Sequence, residues 1–354
     1  MTGRSFINAI GTAVPPHDVH KAFIAWAERQ IEGERERALF RRMAERSGIE
    51  QRWSVLAPGE GGGSPVDPGG FYHGLPPATS RRMQVYGEEA PKLALAAIGD
   101  LRARVPVDGI THLVVASCTG FTAPGIDQIV AAALGLDEVE RTLVGFMGCY
   151  AAVSALKVAD HIVRADPAAR VLAVTVELSS LHLQDEHGVE PLLAMLQFSD
   201  GAAAALVTAE ETGLALEAGF ALSLPASGSL ITWTIGDTGF AMHLSGEVPA
   251  RIGAALHEEQ VRAKLLGPWR ADEVDAWAVH AGGRSILDAV EKGLALEPAA
   301  LAASRRVLAR YGNMSSSTLM FVLRDLLELP EVNKGVALAF GPGLAAEGFR
   351  FARP

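Results

Sequence analysis

Three elements of this chain recur in the same order and at the same spacing, and that repetition constrains the fold more than any other feature. Val107-Asp-Gly-Ile-Thr-His-Leu-Val-Val-Ala-Ser and Val274-Asp-Ala-Trp-Ala-Val-His-Ala-Gly-Gly both read as an acidic start, a buried strand and a loop. Each leads into a helix ending in Gly-Leu, at Gly135-Leu136 and Gly293-Leu294. Next come Arg141-Thr-Leu-Val-Gly-Phe-Met-Gly-Cys149 and Arg306-Val-Leu-Ala-Arg-Tyr-Gly-Asn313, both read as strand, glycine, polar residue and helix. A basic residue and an apolar strand follow at Arg170 and Lys334; 170 − 149 and 334 − 313 both equal 21. Strands alternating with helices predict βαβ units and mainly parallel sheets. Two matched halves, 1–210 and 211–354, predict an α/β molecule with a pseudo-twofold duplication, in which Cys149 and Asn313 open equivalent helices at a shared centre.

Composition narrows the setting. With 49% apolar and 20% charged residues over 354 positions, the chain can bury a large core and does not read as disordered. No apolar run approaches the roughly 18 residues that span a bilayer. Asn8, Gly11 and Pro15-Pro16 interrupt any signal-peptide core, so the start reads as a strand, Ser5 to Ile10. Two cysteines, Cys118 and Cys149, make no disulfide framework and no metal-type spacing, and point to a reducing cytoplasm. The formal charge of −10 argues against nucleic acid as the main partner, so an anionic ligand needs a local basic patch. Residues 55–80 hold a Gly/Pro-rich stretch, Gly59 to Pro77, that reads as an irregular surface loop.

The Cys149 corner carries the chemistry. A β-prone stretch, Thr142 to Met147, runs through Gly148 into Cys149, and an alanine-rich amphipathic helix follows. The positive end of that helix favours thiolate over thiol. Alone, Cys149 also reads as a buried small hydrophobe, His280 as a core histidine and Asn313 as an N-cap. The repeat register sets the three at matched loops.

On these residues the chain resembles type III polyketide synthases, the chalcone-synthase-like branch of the thiolase superfamily. The matching motifs are Ile-Gly-Thr-Ala-Val-Pro-Pro near the start, Cys-Thr-Gly-Phe-Thr-Ala-Pro-Gly-Ile-Asp at 118–127, the Cys149 corner and Phe-Ser-Asp-Gly-Ala-Ala at 198–203. His280-Ala-Gly-Gly, Gly312-Asn-Met-Ser-Ser and Phe340-Gly-Pro-Gly-Leu complete the ordered set. The resemblance implies a five-layered αβαβα fold, a homodimer and coenzyme A thioesters as substrates, with no cofactor or metal. It implies Cys149 as nucleophile, lowered in pKa by an imidazolium at His280, and His280 with Asn313 as donors to the malonyl thioester oxygen.

It also implies substrate contacts. Arg42 and Arg46, at i and i+4 on a helix, match basic residues that hold the coenzyme A phosphates; Leu39 replaces a third. The plain alternative is a solvated face pairing with Glu34, Glu36 and Glu45. Phe198 matches an aromatic gatekeeper, and Met242 a second gatekeeper that is aromatic in plant enzymes. Cys118, Ser179, His182 and Ser315 match cavity-lining positions, with His182 in place of a threonine. Ala123 stands where plant enzymes place a methionine that reaches into the partner subunit.

These features predict an acyltransferase that extends an acyl-CoA starter with malonyl-CoA, with a tilt towards alkylpyrone or alkylresorcinol products. The alternatives are a malonyl-primed, naphthalene-type pentaketide synthase and a ketoacyl-ACP synthase III-like enzyme that condenses once. A hydroxymethylglutaryl-CoA synthase requires a glutamate base, and the sequence offers no well-placed one. An inert scaffold retaining the fold is the non-enzymatic alternative.

Overall fold

A computed structural model describes residues 3–59 and 63–354; Glu60, Gly61 and Gly62 of the predicted loop lie outside the described residues. In chain order the strands are β1 (Ser5–Ala13), β2 (His17–Asp18), β3 (Trp53–Ser54), β4 (His112–Ser117), β5 (Glu140–Gly145), β6 (Val171–Leu178), β7 (Asp200–Thr208), β8 (Leu214–Ser223), β9 (Ile231–Gly236), β10 (Gly239–Leu244), β11 (Ala276–Val279), β12 (Lys334–Gly341) and β13 (Ala345–Ala352). Nine of them form one sheet in the order β11-β12-β13-β8-β1-β7-β6-β4-β5, while β2–β3 and β9–β10 are separate antiparallel pairs.

The duplication is visible in that order. From the outer edges inward the two sets run β5-β4-β6-β7-β1 and β11-β12-β13-β8, and they meet where β1 pairs antiparallel with β8. In each set two strands, β7 and β1 or β13 and β8, run against both their neighbours. The sheet is therefore mixed, with three parallel and five antiparallel pairings among the described residues, which corrects the expectation of mainly parallel sheets. The reason is local. Only Pro342–Leu344 separate β12 from β13, too short a link for a parallel crossover.

A second correction concerns the repeat itself. Arg306–Tyr311, expected as a strand matching β5, lies in a helix, so the second set is one strand short. The stretch is rich in Ala, Leu and Arg, good helix formers, and buries Ala303, Val307 and Leu308 along one helical stripe.

The helices are α1 (His20–Gln30), α2 (Glu34–Glu45), α3 (Thr79–Arg102), α4 (Ile126–Leu134), α5 (Ala151–Ala165), α6 (Val189–Met195), α7 (Val248–His257), α8 (Glu259–Leu266), α9 (Arg284–Leu294), α10 (Ala302–Tyr311) and α11 (Ser316–Leu327). Strand periodicity sorts them into layers. Val114 and Ala116 of β4 join the core around α5 and α11, whereas Leu113 and Val115 join the core beneath α3 and α4. Across the molecule Ala276 and Ala278 of β11 face α11, while Trp277 and Val279 pack with α7 and α9. The layers are thus α3/α4, the first strand set, α5/α11, the second strand set and α7/α9, the predicted five-layered αβαβα fold. Cys149 and Asn313 precede the two central helices.

Candidate active site

Cys149 sits in a single 3₁₀ turn, Gly148–Tyr150, between β5 and α5. Gly148 has φ +75°, and a Cβ there would lie 2.4 Å from Cδ of Pro342, so only glycine fits. The Phe340-Gly-Pro-Gly segment ending β12 therefore braces the corner from the opposite repeat.

His280 follows β11 and continues its ladder, its N–H donating to the Leu338 carbonyl at 2.8 Å. Asn313, between α10 and α11, donates its main-chain N–H to the Gln197 carbonyl at 2.8 Å, and its carbonyl accepts the Ser199 N–H at 2.9 Å. That bridge ties Asn313 to Phe198, the expected gatekeeper. The Asn313 side chain is oriented by its partners: Oδ1 accepts the Ser315 N–H at 2.9 Å, and Nδ2 donates to the Gly282 carbonyl at 3.2 Å. Nδ2 keeps one further proton to give. Ser315 holds φ +47°, a strained value for a residue with a side chain.

One cavity gathers Cys149, Cys118, Ser315, Phe198, Met242, Ser179 and His182. His280 and Asn313 are buried and stand outside its lining. Arg42 and Arg46 lie on the exposed face of α2, also off the cavity. Neither makes an ion pair among the described residues; the α2 arginine paired across to α1 is Arg41, with Glu28 at 2.8 Å. The expected alternative pairing with Glu34, Glu36 and Glu45 is not formed.

Burial dominates the electrostatics. It pushes the Cys149 thiol up to about 12, with the Ser315 hydroxyl, 3.8 Å from the sulfur, pulling the other way. It pushes the His280 imidazole down to about 3, and neither ring nitrogen has a hydrogen-bond partner among the described residues. The expectation of a thiol lowered at rest is thereby corrected: each group charged alone is costly here.

His182 is fixed as a neutral imidazole. The Phe240 N–H donates to its Nδ1 at 3.0 Å, so Nε2 carries the proton and donates to the Thr119 carbonyl at 2.7 Å. The ring stacks on Phe240 at 4.2 Å and meets the edge of Trp233. With both nitrogens engaged, it shapes the wall and moves no proton.

The fold and this corner are shared with known proteins. A sequence model for the N-terminal domain of chalcone and stilbene synthases matches residues 1–211, and one for their C-terminal domain matches 216–352. The chain belongs to that family. It is 34% identical over 292 residues to the alpha-pyrone synthesis polyketide synthase-like Pks18 of Mycobacterium tuberculosis, covering 78% of this chain and 74% of that protein. It is 31% identical over 375 residues to bisdemethoxycurcumin synthase of Oryza sativa subsp. japonica, covering 98% and 91%. The crystal structure of PKS-I from the brown alga Ectocarpus siliculosus superposes with a TM-score of 0.88 at 29% identity, over 100% and 99% of the two chains. The chain is accordingly a type III polyketide synthase, an acyltransferase whose family works on coenzyme A thioesters.

In this family member the structure adds residues that the sequence did not single out. Glu177, fully buried at the end of β6, accepts from the Cys118 N–H at 3.0 Å, the Thr119 hydroxyl at 2.8 Å and the Ser316 hydroxyl. The Cys118 thiol lies 3.5 Å from it and 3.2 Å from the Ser315 hydroxyl, so a chain of polar contacts runs from Glu177 to Cys149. A glutamate thus does approach the site, contrary to the expectation, but its oxygens are taken by donors and it stands outside the cavity lining. Its signal in sequence is a lone carboxylate in the otherwise apolar-and-threonine strand Val171–Leu178. Trp233 lines the cavity beside Cys118, its indole N–H donating to the Cys118 carbonyl at 2.9 Å. Arg52, buried with no carboxylate within ion-pair distance among the described residues, donates to the Phe198 carbonyl at 2.7 Å and so anchors the backbone of Phe198.

Proposed function

We propose that this enzyme primes Cys149 with an acyl-CoA, extends the chain with malonyl-CoA and releases an α-pyrone- or alkylresorcinol-type product. His280 takes the thiol proton. The Cys149 thiolate attacks the starter thioester, and coenzyme A leaves as a thiolate that takes a proton from water. The imidazolium and the free Nδ2 proton of Asn313 then donate to the malonyl thioester oxygen as carbon dioxide leaves and charge gathers there. The enolate carbon attacks the acyl-Cys149 carbonyl, and the expelled thiolate faces the imidazolium again. Each charged partner offsets the burial cost of the other, which neither bears alone.

The observation that carries the acyl-starter reading is the extent of the cavity. Besides Phe198 and Met195 it is lined by Val19, Ala22 and Phe23 at α1 and by Pro65, Val66 and Tyr72 of the 55–80 segment. These apolar walls suit an extended chain better than a planar starter, and half-buried Met242 supplies a flexible side chain instead of a flat wall. The test is incubation with malonyl-CoA and acyl-CoA starters of graded length, with products identified by mass spectrometry. Long-chain starters giving triketide or tetraketide pyrones support the reading; turnover confined to malonyl-CoA alone contradicts it.

Assembly as a homodimer fits the edge strand β5, which leaves Leu143 about half exposed and has one side unpaired in the sheet order. Sedimentation at micromolar concentration tests this. No helix among the described residues is long and apolar enough to cross a membrane.

A further inference from the structure

The wall of the Cys149 cavity is not uniformly apolar. Arg52, Ser54 and Ser180 all line it, and the fully buried Asp200 is bonded to the last of these. The Ser54 and Ser180 hydroxyls are 2.7 Å apart, Ser180 Oγ donates to Asp200 Oδ2 at 2.6 Å, and the Val55 N–H donates to the same oxygen at 2.9 Å. Because the Ser180 proton lies on Asp200, Ser54 is the donor to Ser180, and Ser180 Oγ keeps one lone pair free.

Arg52 keeps a donor free. Its Nε donates to His20 Nδ1 at 3.1 Å, and Nη1 donates to the Met195 and Phe198 carbonyls at 3.2 and 2.7 Å. Nη2 has no partner among the described residues, although the residue is only 3% exposed. The guanidinium lies 4.6 Å from the ring centroid of Phe23, another cavity residue. Anchoring Phe198 does not require a charge. A neutral donor would hold a carbonyl, whereas a buried cation without a carboxylate at ion-pair distance is costly until it meets an acceptor. Arg52 and Ser54 are two apart in the extended stretch at β3 and so share one side of it. A spare donor and a spare acceptor therefore stand on one wall.

An enolised β-diketone presents the matching pair, a ketone oxygen that accepts and a hydroxyl that donates, and a chain lengthened from malonyl units carries that group. We propose that Arg52 and Ser180 form a subsite for the enolised β-diketone of the Cys149-bound chain, Arg52 Nη2 donating to the ketone oxygen and Ser180 Oγ accepting the enol hydroxyl. This rests on chain extension at Cys149 as proposed above, and it selects the α-pyrone among the products. The enol proton passes to Ser180 as the Ser180 proton passes to Asp200 Oδ2. The enol oxygen, its charge stabilised by the Arg52 cation, attacks the Cys149 thioester carbonyl. The C–O bond forms, the C–S bond breaks and Cys149 leaves as a thiolate beside the His280 imidazolium. Asp200 returns its proton to water. Burial pushes the Asp200 carboxyl up to about 6, which suits a proton acceptor at neutral pH. Arg52 and Ser180 contact the chain, while Asp200 acts through Ser180 as a positioning residue.

The test runs wild type, Ser180→Ala, Ser180→Thr and Arg52→Gln with decanoyl-CoA and malonyl-CoA, quenched at intervals. Pyrone release is followed together with the mass of the chain on the Cys149 peptide, and carbon dioxide release from malonyl-CoA without a starter is measured separately. Ser180→Ala is expected to slow pyrone release roughly 10²-fold, the low end of what a proton acceptor contributes, and to pile up the diketoacyl chain on Cys149. Decarboxylation falls far less. Ser180→Thr keeps the hydroxyl and recovers part of the loss. Arg52→Gln is expected to slow release about tenfold, the usual effect of one charge-assisted hydrogen bond. An equal loss in release and decarboxylation overturns the proposal, as does wild-type release in Ser180→Ala or no recovery in Ser180→Thr. Wild-type release in Arg52→Gln removes Arg52 from the subsite. Ser180 is half-buried, so its two variants decide the outcome even where the loss of Arg52 unfolds the chain. A wild type that builds no diketoacyl chain on Cys149 sinks the proposed function instead.

Discussion

Asn313 Oδ1 accepts the main-chain N–H of Ser315 at 2.9 Å, and this bond decides which end of the amide is left to donate. Nδ2 spends one proton on the Gly282 carbonyl and keeps the other for an oxygen that gains charge. Asn313→Ala is expected to slow malonyl-CoA decarboxylation about 10²-fold, the usual cost of one such donor. Asn313→Asp keeps the bond to Ser315 but sets a negative charge against the enolate, so it should do no better than Ala. Release of carbon dioxide, measured without a starter, checks both.

In the proposed mechanism His280 is the proton acceptor for Cys149. Burial pushes the thiol up to about 12, and removing the imidazole leaves no base to take its proton. In His280→Ala the rate of iodoacetamide alkylation of Cys149 should therefore climb about tenfold per pH unit from pH 7 to 10 without a plateau. Wild type should react faster than the variant at pH 7. Equal rates at neutral pH would remove His280 from this role.

Trp233 fills space beside Cys118 and packs edge-on to His182 and Phe240. Trp233→Ala is expected to open that volume and shift products towards longer polyketides or bulkier starters. Its stability cost should be about 2 kcal/mol, below the roughly 3–5 of a full core truncation because the ring is half-buried. Product masses and thermal unfolding read the two effects separately.

Acid should unfold this protein through its buried histidines. His182 and His280 are each pushed down to about 3 and His20 to about 4, so the unfolded chain binds more protons than the folded one below about pH 6.5. Stability is then full above that value and is lost as pH falls towards 4. Asp200, raised to about 6 by burial, acts in the opposite direction between about 4 and 6 and offsets part of the loss. His182→Gln, which can still accept from Phe240 and donate to Thr119, should flatten the fall in Tm between pH 6.5 and 4.

The elements legible in the sequence are those that spacing alone determines. The corner at Gly148-Cys149 reads from one glycine and the switch to helical periodicity, and β4 and β11 read from matched apolar runs. Arg306–Tyr311 misleads because Val307 and Leu308 suit a strand as well as a helix, and burial of Ala303 on the same stripe decides it. The role of His182 rests on Phe240 and Thr119, 58 and 63 residues away in sequence, so nothing local signals it. The cavity wall is likewise completed by residues of α1 and the 55–80 segment, far in sequence from Cys149.

The central claim is that Cys149 carries the growing chain. Incubating the enzyme with a long-chain acyl-CoA in the absence of malonyl-CoA, then mapping the adduct by peptide mass spectrometry, tests it most directly. The account predicts one acyl group on the peptide containing Cys149 and none on that containing Cys118, with Cys149→Ala giving neither adduct nor triketide. An adduct on Cys118, or triketide products from Cys149→Ala, would contradict it.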